Sequence, residues 1–237
     1  MPSEVTLDLV AAAGCRRILR INFGGSIWCI NVYADIFHRG EGTPMHVEHL
    51  RDAWNPLESY RSNYDGRKHG IAYLAMNKNF KRLAMRVNNH HAVTLLHGQH
   101  CKSTGVFAKY RNRDKYGLND EPHRQIWQAR HWLPFNDKTV WYPYYRNPGV
   151  VSLEPENLLS SLFVSSDRKR ALLVISNLDP DAIKDASVTV DSKKVGLAAG
   201  QLKIEDVVLG SSIAHEEGAF NIDIEPQRYR LLKLWLE

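Results

Sequence analysis

Apolar and polar positions follow two rhythms along this chain, and the change falls near residue 139. Before it, helical spacing dominates. Ser26 suits the cap of a helix reaching about His38, with Ile27, Ile30, Ala34 and Phe37 on one face. A second helix is predicted after Asn55-Pro56, where proline fits the first turn, and extends to about Lys68. The strongest pattern runs from Asn79 to Leu96, with Phe80, Leu83, Ala84, Val87, His91, Thr94 and Leu95 on the inward stripe. Another helix is predicted from Pro122 to Trp132. Between these lie short strand-like segments, Arg16 to Phe23 and Ile71 to Ala75. Alternating strand and helix is the pattern of βα units.

From Thr139 onward only strands are predicted. They cover Thr139–Tyr145, Leu159–Val164, Ala171–Ser176, Ser187–Val190, Lys203–Val208, Ala219–Ile224 and Tyr229–Leu236. Turn clusters such as Ser166-Asp-Arg-Lys169 separate them. The last strand alternates, with Leu232, Leu234 and Leu236 on one face and Leu231 and Trp235 on the other. Short strands at this density predict an antiparallel sandwich. The Asn147-Pro148-Gly149 turn marks the expected boundary, giving domains of 1–146 and 147–237.

Charge sharpens that division. Residues 1–150 carry 21 basic and 12 acidic groups, whereas residues 151–237 carry 10 and 14. Ten of the eleven His and five of the six Trp lie in the first 150 residues, which makes that part the expected place for chemistry. Cys15, Cys29 and Cys101 are too sparse for a disulfide framework, and no CxxC pair suggests structural zinc. No apolar run is long enough to span a membrane. The first residues lack the basic start and long apolar core of a signal peptide, so localisation stays open, a lost N-terminal export signal included.

Two stretches resemble a known family. The first is Tyr33-Ala-Asp-Ile-Phe-His-Arg-Gly-Glu-Gly42, followed by Leu57-Glu-Ser-Tyr-Arg-Ser-Asn-Tyr-Asp-Gly-Arg-Lys-His-Gly-Ile71. It is similar to late barrel segments of glycoside-hydrolase-like proteins related to family 123. The second runs from Val140-Trp-Tyr-Pro-Tyr-Tyr145 through Leu172-Leu-Val-Ile-Ser-Asn-Leu178 to Arg228-Tyr-Arg-Leu-Leu232, and looks like the terminal sandwich of such proteins. The resemblance implies an α/β plus all-β chain: an incomplete (β/α)8 (TIM) barrel portion followed by a C-terminal antiparallel β-sandwich. A full barrel needs eight βα units, and residues 1–138 hold three or four. The chain is therefore expected to represent the C-terminal portion of a barrel protein, without its main catalytic acids. Asp120-Glu121, the only adjacent Asp-Glu pair, precedes a predicted helix and is not carried over as the family's catalytic pair.

Glycoside hydrolysis usually needs two carboxyl groups, and substrate-assisted enzymes replace one with the sugar's acetamido group. Glu41, between two glycines in a loop, is the candidate catalytic carboxylate, and Asp35 lies six residues before it. The alternative for Glu41 is a solvated carboxylate paired with Arg39. Pyranose rings stack on aromatic faces, which makes Trp28, Tyr33, Trp54 and Tyr60 candidate substrate contacts, with Tyr64 nearby. Arg61, like Arg51 and Asp52, suits hydrogen bonds to hydroxyls; Asp35 and His97 are further candidate substrate contacts, His97 lying at a helix end, either buried or at the barrel mouth. The alternative for the aromatics is burial in the barrel wall.

His46-Val-Glu-His49 and His90, His91 and His97 do not assemble a metal ligand set by spacing, so no metal and no cofactor are expected. The basic, aromatic Lys102–Tyr116 stretch suits phosphate and bases, but no nucleic-acid motif accompanies it, so nucleic acid is not the expected partner. The expected partner is an oligo- or polysaccharide, with no membrane and an undetermined oligomeric state. The leading expectation is a glycoside-hydrolase-type protein; the alternative is a non-catalytic carbohydrate-binding or interaction module.

Overall fold

The computed structural model describes residues 20–22, 36–39, 57, 61, 72–75, 91–98, 100–101, 121–136, 138–197 and 201–237. Four short strands, β1 (Arg20–Asn22), β2 (Ile36–Arg39), β3 (Ala72–Ala75) and β4 (His100–Cys101), form one sheet in the order β1-β2-β3-β4. Every pairing in it is parallel. β2 corrects the sequence expectation, because a helix was expected to continue to His38. Ile36-Phe37 is a β-branched and aromatic pair, and strands on both sides supply a ladder that outweighs the helical spacing. β4 had no counterpart in the pattern, since a two-residue strand is too short to carry alternation.

The helix ending near Leu96 is present at its C-terminal end. Residues 91–94 are helical and tighten into a 3-10 turn at Leu95–His97; this segment is α1. Gly98 closes it at φ 67°, and its N–H returns to the Leu95 carbonyl at 3.1 Å. A Cβ there would lie 3.2 Å from the Phe163 ring, so this cap also needs glycine for space. All of residues 91–97 are buried, not only the expected stripe. The polar His91, Thr94 and His97 are enclosed along with Ala92, Val93, Leu95 and Leu96. The second helix, α2 (Glu121–Trp132), stands within one residue of its expected start.

Nine strands follow: β5 (Val140–Tyr142), β6 (Val151–Glu154), β7 (Leu159–Val164), β8 (Arg170–Ser176), β9 (Ile183–Val190), β10 (Leu202–Asp206), β11 (Ser211–Ser212), β12 (Ala219–Ile224) and β13 (Tyr229–Leu236). The short helix α3 (Ser192–Val195) follows β9, and the Asp191 side chain accepts from the Lys194 N–H to cap it. The strands make a six-stranded sheet, β11-β10-β13-β8-β7-β5, and a three-stranded sheet, β12-β9-β6. All their pairings are antiparallel. β5 pairs with β7, so this part draws its first strand from ahead of residue 147.

The central strands β7, β8 and β13 of the six-stranded sheet bury residues on both faces. Leu162, Val164, Leu173, Ile175, Leu232 and Leu234 pack against Val188, Val190, Phe220 and Ile222 of the three-stranded sheet. Phe163, Leu172, Val174 and Leu231, on the opposite face, pack against Leu95 and Leu96 of α1 and Ile126 and Ala129 of α2. Alternate residues of β7, β8 and β13 thus serve two cores, as the period of two requires. Denaturant titration will show Phe163→Ala losing about 3–5 kcal/mol and Leu173→Ala about 2–5 kcal/mol, one variant from each core. Thr189→Ala, on the exposed face of β9, will stay within about 0.5 kcal/mol of the parent.

Candidate functional site

Because β1 to β4 are parallel, their C-terminal ends share one edge of the sheet. Asn22 pairs with His38, and Arg39, Ala75 and Cys101 align across β2, β3 and β4. In parallel α/β folds ligands bind beyond that edge. In the sequence, Glu41 follows the end of β2 by two residues, whereas Asp35 directly precedes its start. A four-residue strand is about 13 Å long.

A second cluster lies where α1 meets the six-stranded sheet. The Ser161 hydroxyl donates to the Leu96 carbonyl at 2.7 Å and accepts from the Tyr144 N–H at 3.0 Å. The Ser176 hydroxyl donates to the Ala92 carbonyl, also at 2.7 Å. Ser161 and Ser176 stand on the helix-facing side of β7 and β8, where their hydroxyls satisfy carbonyls at the end of α1. Arg130 of α2 donates to the Gly98 carbonyl at 3.2 Å.

His97 sits in this joint. Its Nδ1 lies 2.8 Å from the Val93 carbonyl, which can only accept, so Nδ1 carries the proton. Nε2 is then the acceptor in the neutral ring; the Tyr144 hydroxyl lies 3.2 Å from it and 3.5 Å from the Leu57 carbonyl, and its single proton can serve only one of the two. The His97 and Tyr144 rings meet edge to face at 5.3 Å. The imidazole has 0% exposure, and burial lowers its pKa from 6.5 to about 4 against the opposing pull of the Val93 and Leu57 carbonyls.

Aromatic contacts carry the joint onward. Tyr144 meets Tyr145 edge to face at 5.1 Å, Tyr145 meets Trp141 at 6.3 Å, and Trp141 stacks on Phe163 at 5.9 Å. The Arg61 guanidinium lies 4.5 Å from the centroid of the Tyr145 ring. Two of the eight residues singled out from the sequence, Arg61 and His97, are thus linked through Tyr144 and Tyr145. The other six, Trp28, Tyr33, Asp35, Glu41, Trp54 and Tyr60, lie outside the described residues, as do His46, His49, His90 and the 102–116 stretch. Sequence reasoning assigned no site role to Tyr144, Tyr145 or Ser161. Their aromatic run was visible, but its role depends on a helix brought in from 65 residues away in the case of Ser161.

Among the described residues, no group of three His, Cys, Asp or Glu is placed to hold a metal ion. No helix among them is long and apolar enough to cross a membrane.

No family model matches the chain, and no curated protein matches it. Solved structures do. The maltogenic α-amylase AmyB from Thermotoga neapolitana superimposes with a TM-score of 0.53 at 12% identity, covering 94% of this chain and 55% of that one. An Anoxybacillus α-amylase, described as giving insight into a new glycosyl hydrolase subclass, gives 0.52 at 9% identity, covering 93% and 52%. The chain spans about half the length of these structures. Its fold is glycoside-hydrolase-like, and its antiparallel sheets resemble the C-terminal β-domain of such enzymes.

The buried neutral His97 has a pH consequence. Its folded pKa, about 4, is below the unfolded value of 6.5, so the unfolded chain binds more protons across that interval. Its contribution to stability is complete above about pH 6.5 and declines as pH falls toward about 4. Summed over the interval the loss is about 3 kcal/mol. Denaturation of the wild type and His97→Gln at a series of pH values checks this. The variant will be less stable at pH 7, and the gap will narrow toward pH 4.

Proposed function

We propose that this is a carbohydrate-active protein of glycoside-hydrolase type. The part of residues 1–146 ahead of β5 supplies part of a (β/α)8 barrel related to family 123, and β5 with residues 147–237 supplies the terminal sandwich. The observation that carries this reading is the parallel order β1-β2-β3-β4, with Glu41 following the C-terminal end of β2 by two residues. Each barrel strand delivers its following loop to the mouth where barrel enzymes act. The glycoside-hydrolase-like fold and the Gly40-Glu41-Gly42 loop point the same way.

In this reading a saccharide lies beyond that edge, with Trp28, Tyr33, Trp54 and Tyr60 as stacking surfaces and Asp35 and Arg61 as polar contacts. Glu41 is the acid or base at the glycosidic oxygen, in a reaction that passes through an oxocarbenium-like transition state. His97, neutral and enclosed, serves the joint between α1 and the sheet and so acts on the site only by holding its frame.

A non-catalytic binding module is the second reading, and one observation favours it. In the sequence β2 lies between Asp35 and Glu41, and its four residues span about 13 Å. Paired glycosidase carboxylates stand only about 5–9.5 Å apart. Glu41 is then a single carboxylate, suited to substrate-assisted hydrolysis or to binding alone.

Calorimetry with maltotriose, xylotriose and N,N′-diacetylchitobiose, together with a panel of p-nitrophenyl glycosides, tests both readings. At least one oligosaccharide will bind, and Trp54→Ala will weaken it by about tenfold, the worth of one stacked ring. Turnover by this chain will be weak or absent; turnover abolished in Glu41→Gln would make Glu41 catalytic. Neither binding nor turnover with any of these sugars would refute the carbohydrate reading.

A further inference from the structure

The helix-facing side of the six-stranded sheet continues past the last turn of α2, and its composition changes there. Leu172 of β8 and Leu231 of β13 lie in the core beneath the helices. By the period of two, Arg170 of β8 and Lys233 and Trp235 of β13 stand on the same side. Ile204 of β10 packs into the opposite core, so Lys203 and Glu205 face the helical side as well. The register sets Arg170, Trp235 and Lys203 in one row across three strands, and Leu172, Lys233 and Glu205 in the next.

Trp132, the last residue of α2, meets this row. Its ring packs edge to face with Trp235, the centroids 6.0 Å apart. The Arg170 guanidinium lies 5.4 Å and the Lys233 ammonium 5.6 Å from the centroid of Trp132, and Arg170 Nη1 donates to the Trp132 carbonyl at 2.8 Å. Trp132 packs against the helical core, so it has a structural role. Trp235 belongs to neither core and is only half-buried. An edge-to-face pair takes at most one face of each ring, so Trp235 keeps at least one face clear of its partner. The charges around it are uneven. Glu205 is held by Lys233 at 3.0 Å, and Glu237 by Lys203 at 3.4 Å. Arg170 is exposed and forms no ion pair among the described residues.

We infer that this surface of the sandwich binds an acidic saccharide, with a uronate ring stacked on Trp235 and its carboxylate on the Arg170 guanidinium. The apolar face of a pyranose packs on an indole. A guanidinium has five N–H donors in a planar fork that matches a carboxylate with two parallel bonds, and Arg170 spends one of them on Trp132. Lys203 stands one strand spacing of about 4.8 Å to the other side of Trp235, where it suits the carboxylate of a neighbouring sugar unit. A neutral sugar would use the indole and leave the row of cations without an anion. The inference goes beyond the proposed function, which puts its saccharide at the Glu41 loop.

Calorimetry with trigalacturonate, its fully methyl-esterified form and inorganic tripolyphosphate tests this. Trigalacturonate will bind the wild-type chain, and the ester, which keeps the rings but not the charges, will bind about tenfold more weakly. Trp235→Ala will weaken trigalacturonate by about tenfold, the worth of one stacked ring. Arg170→Gln will weaken it by about tenfold as well, and the advantage of the acid over its ester will shrink. Arg170 is exposed, so this variant keeps the test open if Trp235→Ala does not fold. Trp54→Ala and Glu41→Gln will leave trigalacturonate binding unchanged. No binding of trigalacturonate, or binding that survives Trp235→Ala and Arg170→Gln, overturns the inference. Loss in Trp54→Ala instead would put the sugar at the site of the proposed function, which then stands while the inference falls. Tripolyphosphate displacing trigalacturonate at equal concentration would make the surface a general anion patch and overturn the saccharide assignment. Binding at Trp235 with every sugar of the earlier panel neither bound nor turned over would refute the proposed function and leave the inference standing.

Discussion

The central strands of the six-stranded sheet, β7, β8 and β13, bury residues on both faces, and the rest of the described structure follows from that. A sheet with one wet face tolerates polar residues at every second position. Here neither parity is free. β8 reads Ala171-Leu-Leu-Val-Ile-Ser176 and is buried throughout, because odd positions fill the core shared with the three-stranded sheet and even positions meet α1 and α2. The exceptions on the helical side are the serines, and they are polar for a reason. Ser161 and Ser176 donate to the carbonyls of Leu96, in the last turn of α1, and of Ala92. The sheet supplies the end of the helix with hydrogen bonds as well as apolar surface.

Much of this architecture is readable from the sequence, and the failures have physical causes. The limits of β7, β12 and β13 were predicted residue for residue, because turn clusters bound them and their apolar residues recur cleanly. The two faces of β13 were also anticipated, with Leu232 and Leu234 in one core and Leu231 in the other. β6 was missed because Val151-Ser-Leu-Glu154 is short and half polar, as an outer strand can be. β2 was misread because Ile27, Ile30, Ala34 and Phe37 keep helical spacing into a segment whose neighbours make it a strand.

The candidate site was less legible for a different reason. Loops announce themselves by composition, and Gly40-Glu41-Gly42 drew notice on that ground. Residues within strands announce themselves only when the register is known. Ser161 and Leu96 are 65 positions apart, and nothing in either neighbourhood links them until α1 is placed against β7. His97 was the opposite case. Its position at a helix end suited either a barrel mouth or an interior, and its bonds to Val93 and Tyr144 put it in the interior.

The joint between α1 and the six-stranded sheet ties the helices to the sandwich, and the two form one cooperative unit. Native-state hydrogen exchange measures this directly, because it gives an opening free energy for each amide. The Leu133 and Gly98 amides, bonded to Ala129 and Leu95 on the helical side, should open with the same free energy as the amides of β7, β8 and β13. Both groups should then lose protection together as denaturant is added. If the helical amides open at a clearly lower free energy while those of the three strands remain protected, the helices and the sandwich are independent units and the account is wrong.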